Sequence, residues 1–328
     1  MLGYVIKRVL FMIPTLFAVS VVTFLLIQLP PGDFVTTLAA EMSQMGDSID
    51  PTTLAMLRDQ YGLDEPVWKQ YWIWITNIVL HGDFGRSFDW GLPVSELIWD
   101  RLGLTVVLAL TALVFTWVVS LPIGIYSAVK KYSAGDYLAT FLAFVGLAIP
   151  NFLLALILMY LAYSMLGISI DGLFSQEYAN APWSGEKVLD LAQHLIVPVI
   201  VLGTAGTAAL VRIMRANLLD ELYKPYVTTA RAKGLSEWRL IIRYPVRSAL
   251  NPFVSTIGWS LPELVSGATV TAIVLNLPTT GPLLLRALIA QDVYLAGAMI
   301  LMLSVLTVIG TLISDLLLAW LDPRVRYK

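Results

Sequence analysis

The 328-residue sequence contains no cysteine, only two histidines and few charged residues. The absence of cysteine excludes disulfides, thiolate metal sites and cysteine nucleophiles, and it leaves the compartment undetermined. His81 and His194 do not form a His-Glu-x-x-His pair, so a zinc-protease site of that type is excluded. Charged residues make up 13% of the chain, and the net charge of −2 gives no electrostatic basis for a nucleic-acid partner.

A phosphate-binding loop is also missing from the sequence. No Gly-x-x-x-x-Gly-Lys-Ser/Thr pattern occurs, and no glycine is followed directly by lysine. Because that loop cradles nucleotide phosphates with its backbone amides, the sequence predicts no such nucleotide site in this chain. If the protein moves a solute uphill, the energy has to come from a partner protein or from an ion gradient.

Apolar residues make up 58% of the sequence, which is typical of a membrane protein. A bilayer core of about 30 Å needs roughly 20 apolar residues per helix. Six runs predict membrane-spanning helices: 9–29, 102–126, 137–166, 195–211, 253–275 and 295–321. The first run follows Lys7 and Arg8 as a signal peptide would, but it continues nine residues beyond Ser20, which favours an uncleaved anchor. We therefore predict an all-α polytopic membrane protein with six transmembrane helices.

The distribution of lysine and arginine predicts the orientation of these helices. If the N-terminus is cytoplasmic, the inner segments are 1–8, 127–136, 212–252 and 322–328, and they hold 15 of the 21 cations. The outer segments 30–101, 167–194 and 276–294 hold the other six cations and 16 of the 23 acidic residues. Since basic residues concentrate on the cytoplasmic side, both termini are predicted to be cytoplasmic. Basic inner segments are also attracted to anionic membrane lipid.

These boundaries divide the chain into four parts. Residues 1–29 form an N-terminal transmembrane helix, 30–101 an external segment, 102–321 a five-helix core that includes the polar segment 212–252, and 322–328 a cytoplasmic tail. The external segment is long enough for a small folded cap, with helical patterns around "DPTTLAMLRDQYGL" and "EPVWKQYWIWITNIVL". Its clustered tryptophans suit a membrane interface, and a docking surface for a substrate-binding protein remains an alternative; they are Trp68, Trp72, Trp74, Trp90 and Trp99.

The polar segment has helix signals as well as charge. Pro225 suits the first turn of a helix, and Gly234 suits the left-handed residue that follows one. Ser236 is a candidate N-cap for a second helix, which Pro245 strains and which is predicted to rejoin the membrane at Asn251-Pro252. A short helix held rigidly at the membrane face, with Tyr226, Val227 and Leu235 as apolar contacts, suits docking in a groove of another protein.

The passage "RIMRANLLDELYKPYVTTARAKGLSEWRLIIRYPVRSALNP" closely resembles the coupling loop of the permeases of binding-protein-dependent ABC importers, in the dipeptide, oligopeptide and nickel branch. The resemblance covers most of the chain. It includes "LPPGD", "HGDFGRSFDWGLPVSELIWDRL", "GLAIPNF", "HLIVP" and "LLLAWLDPRVRY". The fold implied is that of a type I ABC importer permease with a small external helical segment between the first two spans.

Two passages depart from the family pattern. A Glu-Ala-Ala triplet is common before the glycine of the coupling loop, whereas this chain has Thr228, Thr229 and Ala230, as the peptide branch often does. In the outer segment "TAIVLNLPTTGPLLLRALIAQDVY", Ala272 replaces a common glutamate and Thr280 lies inside the Pro-Gly turn.

The resemblance implies a set of partners. Such a permease pairs with a second, homologous permease subunit, receives its solute from an external substrate-binding protein, and is driven by two cytoplasmic ATP-binding subunits. ATP and magnesium then bind the partner subunits, with no cofactor in this chain. The residues implied for ATPase coupling are Tyr226, Thr229, Ala230, Arg231, Ala232, Lys233, Gly234 and Leu235. An ordinary solvated loop is the alternative for this stretch.

Two acidic residues lie within predicted spans. A carboxylate at the middle of a span costs about 2.5 to 3.5 kcal/mol, so Glu263 is expected to face protein or water. It is a candidate for a pathway-lining or proton-carrying group, and a neutral carboxyl bonded to a neighbouring helix is the alternative. Asp315, near the inner end of its span, is interpreted as structural.

Two other classes of function are weighed against the importer permease. A stand-alone proton-coupled transporter would use Glu263 or Asp315, but the six runs contain no visible inverted repeat. An intramembrane enzyme is disfavoured because no nucleophile-base pair or metal motif lies in the spans. Peptides are the default solute of the branch, and oligosaccharides, opines and nickel remain alternatives.

Overall fold

The computed structural model describes residues 2–28, 35, 39, 50–60, 65–167, 170–256 and 268–321. Among these residues the chain is helical and contains no strand, apart from one isolated bridge between Arg86 and Pro93. The described α-helices are α1 Leu2–Gln28, α2 Pro51–Gln60, α3 Val67–Thr76, α4 Val94–Val129, α5 Ala134–Ala148, α6 Asn151–Leu166 and α7 Gly185–His194, followed by α8 Ile196–Leu222, α9 Pro225–Ala232, α10 Glu237–Arg243, α11 Pro245–Ser255, α12 Thr269–Val274, α13 Thr280–Ile289 and α14 Val293–Leu321. A short π-helix, Asn77–His81, directly follows α3.

Five of the six predicted spans have a counterpart in the described helices. Four helices are long and apolar enough to cross a membrane, and they contain the segments Arg8–Leu26, Val94–Val129, Ile196–Leu222 and Val293–Ala319. A fifth span is formed if the pair α5 and α6 is counted as one. The described residues include only the two ends of the predicted span 253–275, residues 253–256 and 268–275.

The predicted span 137–166 is not one continuous helix, and the prediction of an unbroken run is wrong at Ile149. Here α5 and α6 meet at a bend of 101°. Pro150 disfavours helical geometry at the residue before it, and Ile149 is accordingly extended, with φ −87° and ψ 118°. Pro150 then serves as the N-cap residue of α6.

The chain forms two compact units. One comprises residues 6–104 and 279–306, and the other comprises 1–5, 105–278 and 307–328. The prediction of helices in the external segment is confirmed for α2 and α3 in the first unit. There α3 buries Tyr71 and Trp74 against Phe24 of α1, and the Tyr71 hydroxyl lies 2.9 Å from Ser20 Oγ.

A buried carboxylate organises the loop before α4 in the same unit. Asp292 is fully buried and accepts hydrogen bonds from Ser87 Oγ at 2.5 Å, Phe88 N at 2.8 Å and Leu295 N at 3.0 Å. Close by, Arg286 donates to Asp89 at 2.7 Å. These bonds hold the loop around Ser87 against the start of α14.

The second unit is built around α8. Its prediction as the span that begins near His194 is confirmed, because α7 ends at His194 and α8 begins two residues later. The helix α4 approaches α8 closely, since a Cβ on Gly124 would lie 2.7 Å from Met214 Cβ. The first turn of α5 is bound to α8 by Asp136, which accepts two hydrogen bonds from Arg215 at 2.8 and 3.0 Å.

Candidate functional site

The first helix of the polar segment has the bounds that its sequence predicts. Lys224 is extended, and Pro225 occupies the first helical position, where no amide hydrogen is required. At the other end Gly234 has φ +78° and its amide donates to Arg231 O at 3.0 Å. Because L-residues with a side chain are strained at positive φ, glycine at this position fixes where α9 ends and in which direction the chain continues.

The second half of the segment differs from the prediction of one helix that rejoins the membrane. The helix α10 follows Ser236, whose side chain makes no capping hydrogen bond, and it ends at Arg243, with Tyr244 as its C-cap residue. Pro245 is the cause, because it disfavours helical geometry before it and suits the first position of a new helix. That new helix, α11, continues through Asn251 and Pro252 to Ser255.

One face of the segment is buried against the membrane-spanning helices of its own chain. Val227 of α9 and Leu240 of α10 are fully buried and belong to a cluster with Met214 and Leu218 of α8 and Phe253 of α11. The prediction that Val227 contacts a partner is therefore wrong, because its side chain faces inward. Leu235 and Ala230 are partly buried against the same cluster. The short helices are therefore fixed to α8 and α11 by apolar packing.

The opposite face is exposed, and most of the predicted coupling residues lie on it. Of the eight, the exposed ones are Tyr226, Thr229, Arg231, Ala232, Lys233 and Gly234. Large apolar side chains that are not among the eight predicted residues are exposed as well: Tyr223 and Trp238 are 78% and 70% exposed, and Ile242 and Tyr244 are also exposed. The available signal was the presence of large aromatic residues in an otherwise polar stretch. An exposed apolar surface rimmed by cations is typical of a protein-protein contact.

Glu221, one residue before the end of α8, connects three helices. It accepts hydrogen bonds from Lys224 Nζ at 2.6 Å, Tyr226 Oη at 2.5 Å and Ser248 Oγ at 2.8 Å. Burial and the adjacent carboxylate raise the pKa of Tyr226 above its usual value, so this phenol remains a proton donor. The bonds tie α9 and α11 to the end of α8.

A second polar contact crosses the glycine corner. Arg231 Nε and Nη2 lie 2.8 and 2.6 Å from Glu237 Oε1, and both side chains are more than half exposed. The pair stabilises the structure only weakly because water screens it. The pair nevertheless orients Arg231 toward α10. Lys233 is then the exposed cation at the glycine corner that forms no ion pair with a described residue.

Family models match both parts of the sequence. A model described as "Binding-protein-dependent transport system inner membrane component" matches residues 120–327, which is more than half of the chain. The chain belongs to this family. A second model, described as the N-terminal part of such membrane components, matches residues 1–109 of the permease. The resemblance that the coupling segment carries is thereby confirmed, and the protein is a multi-pass permease subunit of the bacterial inner membrane.

Relatives of the permease match over its full length. It is 37% identical over 328 residues to the oligopeptide transport system permease protein AppB of Bacillus subtilis (strain 168). It is 32% identical over 345 residues to the dipeptide transport system permease protein DppB of Escherichia coli (strain K12), and 35% identical over 328 residues to the glutathione transport system permease protein GsiC of the same strain. Each match covers 100% of this chain and 100% of the relative.

A solved structure has the same fold. The permease resembles a chain of the MetNI methionine ABC transporter in its inward-facing conformations, with a TM-score of 0.52 and 14% sequence identity. The match covers 70% of this chain and 96% of that chain. At this level of identity the similarity shows the fold alone, and it confirms the predicted type I importer permease architecture.

The candidate pathway residue Glu263 lies outside the described residues of the permease. Its role stays a prediction. In the part of the chain that the structure describes, no group of three or more His, Cys, Asp or Glu side chains is placed to hold a metal ion.

Proposed function

We propose that this permease forms half of the translocation pathway of an ATP-driven importer. The other half comes from a second, homologous permease, two cytoplasmic ATP-binding subunits supply the energy, and an external substrate-binding protein delivers the solute. The observation that supports the proposal best is the two-sided segment 223–247. Its inner face is fixed to α8 and α11, and its outer face presents Tyr223, Trp238 and Lys233 to a partner.

The packing explains how movement of an ATPase reaches the membrane. Leu240 and Val227 lie in one buried cluster with Met214 and Phe253, so a force applied to α9 or α10 moves α8 and α11 together. Packed interiors transmit displacement because they have little free volume. Glu221 adds polar bonds at the same junction. This chain carries out no covalent step, and ATP with its magnesium binds and reacts on the partner subunits.

The proposed ATPase contact comprises Tyr226, Thr229, Ala230, Arg231, Ala232, Lys233, Gly234 and Leu235. Gly234 sets the corner, and Ala232 allows close approach because its side chain is small. Lys233 is available to an acidic group of the partner, whereas Arg231 shares its charge with Glu237. Ala230 and Leu235 are partly buried, so they pack the segment against the buried cluster of its own chain.

We propose a peptide-like solute for this importer. The relatives that match over their whole length are named for oligopeptide, dipeptide and glutathione transport, and each of these solutes contains peptide bonds. Measuring the affinity of the partner binding protein for short peptides, glutathione, oligosaccharides, opines and nickel would identify the solute. Selective binding of a non-peptide would overturn this assignment and leave the permease assignment unchanged.

A cysteine placed in the coupling segment tests the ATPase contact directly. Since the chain has no cysteine, Ala232→Cys introduces a unique exposed thiol on α9, and Ala192→Cys on α7 gives a matched exposed control. In membranes that contain the assembled importer, a short bifunctional maleimide should join Ala232→Cys to an ATP-binding subunit and leave Ala192→Cys unjoined to it. Absence of that crosslink, with uptake intact, would contradict the proposed contact.

Uptake that continues without nucleotide and stops with an ionophore would favour a proton-coupled carrier.

A further inference from the structure

An apolar groove in the second unit lies outside the coupling segment. It has a volume of about 220 Å³ and is lined by α4, α5 and α8. Phe115, Val119 and Ile123 form the α4 wall, and each of these side chains is partly exposed. Leu142 on the α5 wall is 57% exposed. The groove is therefore open to the surroundings of the helices.

Helix periodicity places the groove directly above the ion pair of Asp136 and Arg215. On α5 the lining residues Ala139 and Ala143 follow Asp136 by three and seven positions. On α8 the lining residue Val211 precedes Arg215 by four positions. Residues three, four and seven apart share one helix face, so on both helices the groove begins one turn beyond the ion pair.

Exposed basic side chains lie on the elements that form this end of the groove. Arg212 directly follows the lining residue Val211 and is exposed. The turn between α4 and α5 carries exposed Lys130 and Lys131, and the amide of Tyr132 in that turn donates to Asp136 Oδ2 at 2.9 Å. Because Asp136 also binds Arg215, the turn and the basic part of α8 lie side by side on the membrane face that carries the coupling segment.

Three tyrosines mark this end as a membrane interface. Tyr126, Tyr132 and Tyr137 are 47%, 65% and 63% exposed. Tyrosine is enriched where the hydrocarbon core meets the headgroups, because its ring is apolar and its hydroxyl is polar. The groove thus extends from a basic, tyrosine-rich interface into the hydrocarbon layer.

We propose that the groove is a binding site for an anionic phospholipid, with one acyl chain against Val119, Ile123 and Leu142 and the phosphate between Arg212 and Lys131. The shape and polarity of the groove suit an acyl chain, since its walls are almost wholly apolar. Charge complementarity selects an anionic headgroup, because the basic groups lie at the interface end. The bound lipid would fill the space between α4, α5 and α8 and hold the three helices together.

The probe is phosphatidylglycerol with a photoactivatable group on one acyl chain, mixed into phosphatidylethanolamine vesicles that contain the full-length chain or the assembled importer. Crosslinks are expected on α4, α5 and α8 at residues 115–123, 139–143 and 204–211. Native mass spectrometry of the same samples should show one phosphatidylglycerol retained after detergent washing, and far less retention of phosphatidylethanolamine. Crosslinks spread evenly over all exposed faces, or mapped to the partner permease in the importer, would overturn the proposal.

Variants test the two halves of the site separately. Arg212→Gln and Lys131→Gln should each lower phosphatidylglycerol retention about fivefold, which is the loss expected for one basic side chain near a membrane surface. Arg247→Gln removes an exposed cation of α11 and is the matched control.

Ala139→Phe should abolish retention by filling the groove, whereas Leu138→Phe, on an adjacent exposed position outside the lining, should not. Unchanged retention in Arg212→Gln would contradict the headgroup assignment, and crosslink mapping on the unmodified chain tests the groove even if Ala139→Phe fails to fold.

Discussion

Tyr226 donates its phenolic hydrogen to Oε2 of Glu221 over 2.5 Å, and so connects the short helix α9 to the end of the membrane-spanning helix α8. The other oxygen of this carboxylate, Oε1, accepts hydrogen bonds from Lys224 Nζ and Ser248 Oγ. Side chains from the start of α9 and from α11 thus converge on one carboxylate at the end of α8. Apolar packing fixes the inner face of the segment, and this carboxylate fixes the angle at which α9 leaves α8.

Tyr226→Phe should weaken both stability and coupling. The substitution removes one hydrogen bond to a charged group, which contributes about 1.5 to 3 kcal/mol, and leaves the ring in place. We expect a lower thermal unfolding midpoint of the purified chain, and more ATP hydrolysed per solute imported in proteoliposomes. Tyr160→Phe, at an exposed position of α6, is the control and should change neither value. Equal coupling ratios in the two variants would show that the bond has no role in transmission.

The backbone conformation of Gly234, and not the space around it, should decide which residues can replace it. A Cβ at this position would meet no atom within 4 Å, but φ is +78°. Gly234→Ala is therefore expected to cost about 1 to 2 kcal/mol through backbone strain alone. Gly234→Pro cannot adopt a positive φ, and it should abolish uptake while membrane insertion stays normal.

Gly185→Ala is the matched control for this substitution. Gly185 also has open space around it, and its φ lies outside the left-handed region. Its replacement should leave stability and uptake unchanged. Normal uptake in Gly234→Pro, measured at equal membrane abundance, would contradict the proposed corner.

Asp292→Ala should destabilise the first unit strongly. The substitution leaves the donors Ser87 Oγ, Phe88 N and Leu295 N without their buried acceptor, and each unpaired buried donor costs about 1 to 3 kcal/mol. Limited proteolysis should then cut near Ser87, where the loop is released from α14. Asp220→Asn, on an exposed position of α8, should have an effect within about 0.5 kcal/mol. If the loop around Ser87 stays fully protected from the protease in Asp292→Ala, other contacts are sufficient to hold it against α14.

The sequence predicts the parts of this fold that depend on neighbouring residues. Pro225 and Gly234 determine α9 through their own backbone preferences, and both bounds are confirmed. Pro150 has an effect that the length and hydropathy of its run do not predict. The apolar run continues on both sides of it, so length and hydropathy predict one span, whereas the backbone at Ile149 divides the span into two helices.

Contacts between distant residues could not be predicted from local pattern. Ser87 and Asp292 are 205 positions apart, and neither flanking sequence indicates the other. The inward direction of the Val227 side chain could not be predicted for the same reason. An apolar side chain on a short helix in a polar segment can contact either a partner protein or the core of its own chain. Here the packing of Leu240 and Met214 around Val227 places it in the core of its own chain.

Thiol labelling tests the predicted cytoplasmic position of both termini. The charge distribution places the segment with Ala232 inside and the segment with Ala192 outside. In intact cells that express the permease without its ATP-binding subunits, a membrane-impermeant maleimide should label Ala192→Cys and not Ala232→Cys. Permeabilisation should then expose both, because both positions are at the surface of the isolated chain. The native chain provides the blank because it contains no thiol. The opposite labelling order would invert the topology and place the coupling segment, with Tyr226 and Glu221, on the side that lacks ATP.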